Sequence, residues 1–294
     1  MILVTTAGKV GSEAARLLAD RARPVRILVR DPASAKAGAL ARAGVELAAG
    51  DLADPASLDA ALRGVCAVIL VSPAIAAQEI GVVERAARAG VRHVVKITSK
   101  AAADSPIARR RGQAEIEAAL IASGLGYTLL RNNAYMQNFL MLAPSIAATD
   151  AFGSSVGDAL IGMVDARDVA AVAAEIAAAP DRHERRTYWP TGPETLSYPQ
   201  AAQILSEVLG RPISYRRTTA EQDRQGMVGA GLPAPVAADN VKALSLFGEG
   251  DADYVTDDVP ALLGRPARGF ARFAADYAPA FSPADAASPS AHRR

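Results

Sequence analysis

Two glycines three residues apart, Gly8 and Gly11, lie between a short apolar run and a stretch of helical character. The order is Met1-Ile2-Leu3-Val4, then Thr5-Thr6-Ala7-Gly8-Lys9-Val10-Gly11, then Ser12 to Arg21. A strand, a small-residue turn and a helix N-terminus together can hold a pyrophosphate. Backbone N–H groups close on the phosphates, and the helix end adds partial positive charge. Gly8 permits close approach of a phosphate, and Gly11 lets the helix lie against the sheet. Counting back in threes from Gly11 passes Gly8 and reaches Thr5, where a GxxGxxG pattern has its first glycine. Thr5 or Thr6 can donate a hydroxyl to a phosphate oxygen, and Lys9, beside Val10 in the same turn, can add a charge. The alternative is a turn that only packs a helix onto a sheet.

Other candidates stand at comparable positions. Arg30 follows Gly11 by about the 20 residues that separate a phosphate turn from the ribose-reading residue, where arginine accommodates a 2′-phosphate. Arg30 with Lys36 argues for NADP(H); Asp31 offers the NAD(H) alternative through the ribose hydroxyls. Ser72-Pro73 and Thr98-Ser99-Lys100 each close an apolar run, at positions suited to ribose and nicotinamide. Asn133, Tyr135, Met136, Asn138 and Phe139 form the best substrate wall: amides to hold a carbonyl, flat apolar groups to face a ring. Helix capping and core packing are the competing readings there. No tyrosine has a lysine four residues on, so the proton relay of typical short-chain dehydrogenases is absent. Tyr135, Lys100 and Asn138 remain the catalytic candidates. Acceptors that take their proton from water demand less of the protein.

These residues need elements to position them. Strand-like runs at 24–30, 45–49, 65–71, 93–97 and 127–130 follow the first strand, separated by helical segments that open on Asp54-Pro55 or end at Gly44, Gly90 and Gly124. Such alternation predicts βαβ units in a doubly wound parallel α/β sheet, Rossmann-like, over residues 1–143. Beyond it, a helix is expected at 134–142 and a loop-rich stretch at 143–164. Residues 144–281 are expected to form a smaller, interleaved α/β substrate lid, with helices at 166–178 and 198–209 and strands at 187–189 and 213–216. The Ser/Pro/Ala-rich residues 282–294 predict a disordered tail.

Composition narrows the partners. The 294 residues carry a net charge of +1, which gives no basis for electrostatic nucleic-acid binding. The single cysteine, Cys66, excludes an intramolecular disulfide framework, and the three histidines do not have metal-ligand spacing, so no metal is expected. The apolar runs fall far short of the ~20 residues that span a bilayer. A cytoplasmic monomer or homodimer acting on a small molecule, with no nucleic-acid or membrane partner, is the expectation.

Several stretches resemble the NmrA-like, atypical short-chain dehydrogenase/reductase proteins: Ile2 to Gly11, Val25 to Pro32 (VRILVRDP), Gly50 to Leu58 (GDLADPASL), Ala119 to Asn138, Val164 to Val169 (VDARDV), Thr187 to Ser197 and Val255 to Phe273. The resemblance implies an NAD(P)H-dependent reductase that passes hydride to a planar conjugated acceptor such as a quinone or azo dye. It also implies adenine contacts at Asp51 and Leu52. The family includes cofactor-sensing regulators, so a sensor without turnover and a specialised-metabolism enzyme with a repurposed cofactor site are the alternatives. Two departures stand out. Relatives often carry TGATG before the KVG, where this chain is one residue shorter, and often a histidine in the segment that here reads Arg111-Gly112-Gln113-Ala114-Glu115.

Overall fold

The computed structural model describes residues 1–72 and 75–283. Pro73 and residues 284–294 of the expected tail lie outside the described residues. The chain divides into two compact units. The first comprises Met1–Asn133, Ala166–Pro190 and Asp257–Pro266; the second comprises Ala134–Asp165, Thr191–Thr256 and the described part of Ala267–Arg294.

The opening run alternates strand and helix: β1 (Ile2–Val4), α1 (Lys9–Asp20), β2 (Val25–Val29), α2 (Ala35–Arg42), β3 (Glu46–Ala49) and α3 (Pro55–Ala61). It continues through β4 (Ala67–Leu70), α4 (Ala76–Arg88), β5 (His93–Thr98), α5 (Ala108–Ala122) and β6 (Gly126–Arg131). Local chemistry sets several boundaries. Asp54 caps α3 by accepting from the Ala56 N–H, with Pro55 in the first turn where its missing donor costs nothing. Ser34 caps α2 in the same way.

After α6 (Ala143–Thr149) and β7 (Ala151–Ser154), the chain re-enters the first unit with α7 (Ala166–Ala178) and β8 (Arg186–Tyr188). The seven-stranded sheet runs β3-β2-β1-β4-β5-β6-β8, every pair parallel. Strand order reverses between β1 and β4, so the crevice beyond their carboxyl ends is the switch point. Strands β4 and β5 are buried at every residue, as a parallel sheet flanked by helices requires. The alanine-rich α7 packs against α1 and the sheet.

The second unit contains a 3₁₀ turn (Met136–Met141), α6, β7, α8 (Tyr198–Leu209), β9 (Ser214–Arg217), α9 (Ala220–Gly229), α10 (Ala234–Gly248), α12 (Phe270–Asp276) and α13 (Ala278–Phe281), while α11 (Asp258–Leu263) belongs to the first. Its two strands, β7 and β9, pair in parallel. Three expectations change here. The helix expected at 134–142 is the shorter 3₁₀ turn, because the Tyr135–Val164 bridge holds the preceding residues extended. The stretch 143–164 is not merely loop: α6 ends at Asp150 in the left-handed region, and β7 follows at once. Trp189 lies beyond β8, its N–H held by Asp258 at 2.6 Å. Among the described residues no helix is long and apolar enough to cross a membrane.

Candidate functional site

The turn between β1 and α1 treats its two glycines differently. A Cβ on Gly11 would sit 2.0 Å from the Thr6 carbonyl oxygen, so the turn closes only around a bare Cα. Gly8 has φ −75° and ψ −170°, open to any residue, and its added Cβ would meet only Thr6 Oγ1 at 3.7 Å. The fold therefore requires glycine at 11 and not at 8. Gly8 is exposed and precedes α1 without any side-chain cap, which leaves the first N–H groups of that helix available to an acceptor.

The threonines do not point where the sequence reading put them. Thr5 Oγ1 accepts from the Val71 N–H at 2.9 Å and donates to the Val71 carbonyl at 2.7 Å. Thr6 Oγ1 donates to the same carbonyl at 3.0 Å. Both hydroxyls are thus committed to the chain just after β4, and the expected hydroxyl-to-phosphate contact gives way to this clamp. Val10 is buried under the turn.

Two lysines stand in the cleft beside Gly8. Lys9, Arg30 and Lys36 are exposed, and among the described residues none of the three is in an ion pair. Lys9 and Lys36 line one cleft of about 350 Å³ with Gly8, Ser12 and Leu40. Arg16 also lines it, but Glu13 and Asp20 hold that guanidinium at 2.7 and 2.6 Å. Asp31 is partly spent on its own turn, its Oδ1 accepting from the Ala33 N–H at 2.9 Å. Asp51 does the same with Ala53 at 2.8 Å, and Leu52 is buried in the aliphatic core.

At the other strand ends, Thr98 is buried and donates to Gln113 Oε1 at 2.9 Å, so its hydroxyl supports α5. Lys100 is half-buried in the loop beyond β5. Ser72 donates to Glu79 Oε1 at 2.5 Å, and Glu79 Oε2 lies 2.6 Å from Lys96 Nζ. Both charges of that pair are fully buried. Sequence reading missed it, although a lysine inside the apolar strand His93–Thr98 was its visible signal. Arg111, in the segment that departs from the family pattern, donates to the Ser105 carbonyl at 2.7 Å.

The substrate candidates separate. Asn133 is buried in the first unit, its N–H donating to the Pro190 carbonyl at 3.2 Å. In the second unit Tyr135 is half-buried and Asn138 exposed, whereas Met136 and Phe139 lie within the hydrophobic core. Phe139 has no exposed surface, because Phe152, Tyr198 and Phe270 surround its ring. Asp168, buried at the start of α7, anchors Arg265 at 2.7 Å, and Asp165 accepts from Gln137 at 2.8 Å.

The two histidines among the described residues, His93 and His183, both make internal hydrogen bonds. His93 Nε2 donates to Thr128 Oγ1 at 2.9 Å, since that hydroxyl donates onward to the His183 carbonyl at 2.8 Å. Burial pushes the His93 imidazole below the ordinary histidine value, against the upward pull of Glu184. Burial also lowers His183, whose Nδ1 meets the Tyr188 hydroxyl at 2.9 Å.

Comparison with known proteins adds four findings. The NmrA-like family model matches residues 1–262. An NAD(P)H azoreductase of Xenophilus azovorans is 40% identical over 292 residues, covering 97% of this chain and 100% of the relative. A (4-alkanoyl-5-oxo-2,5-dihydrofuran-3-yl)methyl phosphate reductase of Streptomyces griseus is 41% identical over 289 residues, covering 96% and 100%. Among solved structures, the NADPH complex of the quinone oxidoreductase QOR2 from Escherichia coli superposes with a TM-score of 0.83 at 28% identity, covering 94% of this chain and 99% of that one.

Proposed function

The chain belongs to the NmrA-like family, and from that premise we propose that it is an NADPH-dependent reductase delivering hydride to a planar conjugated acceptor such as a quinone or azo compound. The observation that carries this reading is the bare, unobstructed Cα of Gly8 in one cleft with Lys9 and Lys36, cations that among the described residues are in no ion pair. That combination fits a dinucleotide phosphate group. Gly8 and the uncapped start of α1 receive the pyrophosphate. Lys9, Arg30 and Lys36 supply positive charge for a 2′-phosphate, which favours NADP(H) over NAD(H). The similarity to a relative named NAD(P)H azoreductase and to a structure solved with NADPH supports the same choice.

The nicotinamide supplies two electrons and a proton as hydride when bound. The protein's own share is binding, orientation and exclusion of water. Without a Tyr-x-x-x-Lys pair, no side chain of the ordinary relay delivers the second proton, and solvent supplies it. Tyr135 and Asn138 are the proposed acceptor contacts, with Asn133 and Lys100 as further polar candidates. Met136 and Phe139 act only as the packed base of that segment.

Titrating the purified protein with NADPH and NADH, then following NADPH oxidation with a panel of quinones and azo dyes, tests the proposal. Turnover with at least one acceptor is expected, and Arg30→Ala should weaken NADPH about tenfold, or roughly 1.4 kcal/mol, while leaving NADH binding unchanged. Binding without turnover on any acceptor would assign the chain to the sensing branch of the family instead.

A further inference from the structure

The buried Glu79–Lys96 pair calls for an explanation beyond stability. Removing two charges from water costs more than their attraction generally returns, and packed apolar side chains of similar size hold a core equally well. Both side chains are fully buried, Glu79 on α4 and Lys96 in the middle of β5. Burial pulls the Lys96 ammonium below the ordinary lysine value, while Glu79 pulls it upward. Lys96 Nζ spends a further proton on the Ile97 carbonyl at 2.6 Å. The carboxylate divides its oxygens: Oε2 faces Lys96 at 2.6 Å, and Oε1 accepts from Ser72 at 2.5 Å.

Ser72 directly follows Val71, and Val71 is held from the opposite side. Thr5 grips both its backbone N–H and its carbonyl, and Thr6 adds a second donor to that carbonyl. Two consecutive residues beyond β4 are therefore fixed twice: by the turn after β1 through the backbone, and by α4 and β5 through a side chain. They lie at the switch point, where strand order reverses between β1 and β4. A glycine at position 5 has no hydroxyl and makes no such clamp.

On the strength of the dinucleotide reading above, we propose that Thr5 and the buried Glu79–Lys96 pair are positioning residues for the dinucleotide, acting together through Val71 and Ser72. The threonine exchanges a bare backbone for a hydroxyl tie. That tie sets the shortened turn against β4 and presents Gly8 and the start of α1 at a fixed height. The ion pair provides the rigid acceptor that holds Ser72 to the same frame. Fixed donors lose less freedom on binding, so the benefit appears as cofactor affinity rather than as folding stability.

NADPH titration followed by fluorescence, with melting temperature and steady-state kinetics measured in parallel, tests this on the wild type, Thr5→Ser, Thr5→Ala, Ser72→Ala and the double variant Glu79→Leu/Lys96→Met. Thr5→Ser should bind as the wild type does. Thr5→Ala and the double variant should bind NADPH about tenfold more weakly, with KM for NADPH raised to match and kcat little changed. The double variant should keep the wild-type melting temperature, because its core is apolar and filled. Thr5→Ala combined with Ser72→Ala should cost less than the product of the single effects, since both release one segment. Wild-type affinity in both Thr5→Ala and the double variant would overturn the proposal, as would losses that track melting temperature alone. Should the double variant not fold, the Thr5 and Ser72 series decides by the same criteria. A wild type that fails to bind NADPH would sink the functional reading and this inference together, whereas binding that is indifferent to the variants would sink only the inference.

Discussion

The first unit fills its interior with Leu3, Leu28, Leu58, Val68, Leu70, Val82, Val94 and Leu120, all aliphatic. In the second, the Phe139 ring lies 4.8 Å from Phe270, 4.9 Å from Tyr198 and 5.6 Å from Phe152, and Phe273 and Phe281 extend the cluster. The sheets explain the contrast. A seven-stranded parallel sheet covered on both faces has room for branched and unbranched aliphatic chains at every strand position, and hydrogen bonding along seven strands holds the layers. Thr5, Ser72, Thr98 and Lys100 of that unit stand at or just beyond the strand ends, the side of such a sheet where ligands bind. A two-stranded sheet offers little such ladder, and large rings packed edge to face supply cohesion to the elements around it. Substitutions in the two regions therefore have different signatures: stability in the ring cluster, ligand affinity at the strand ends.

Phe139→Ala should show the largest effect, a loss of about 3–5 kcal/mol in urea unfolding, because it empties the centre of the ring cluster. A loss below about 1 kcal/mol would break the contrast by showing that the second unit does not depend on its rings. The glycine turn sharpens the other side. Gly11→Ala should cost about 1–3 kcal/mol and abolish NADPH binding, since its Cβ cannot fit against the Thr6 carbonyl. Gly8→Ala should leave stability within about 0.5 kcal/mol and still weaken NADPH several-fold; unchanged affinity in isothermal titration would show that no phosphate approaches there.

The smallest effect concerns His93. Its folded-state pKa is depressed by burial, so below about 6.5 the unfolded chain takes up the proton first, and stability falls as pH decreases. Above that pH both states are neutral and the contribution is constant. His93→Gln should flatten the melting-temperature profile between about pH 6.5 and 5 without changing NADPH affinity at pH 7.5. His183, also lowered by burial, should leave a residual slope in that variant.

Much of the first unit was legible because its signals are local. Strand β4 reads as an unbroken apolar run, α3 opens on Asp54-Pro55, and the bounds of α7 follow from helical apolar spacing closed by turn residues. The second unit was less legible. Strand β7 is four residues, AFGS, whose partner β9 lies some sixty positions away, so neither periodicity nor turn chemistry marks it. Phe139 reads equally as a pocket wall and as core when only its neighbours in sequence are considered; the rings from Phe152, Tyr198 and Phe270 decide for core.

By itself the sequence determined the alternation of strands and helices, the glycine turn, and the positions of Lys9, Arg30 and Lys36 along it. These depend on residue type and on spacing of three to twenty positions, which backbone geometry converts directly into place. Only the tertiary structure decided what the threonine in place of the first glycine does. Its hydroxyl chooses among acceptors brought near by folding, and Val71, sixty-six residues away, comes within 2.7 Å once β1 and β4 pair side by side. The same pairing of distant strands and helices buried Glu79 against Lys96. A side-chain hydrogen bond needs a partner within about 3 Å, and for residues far apart in the chain that distance is set by topology alone.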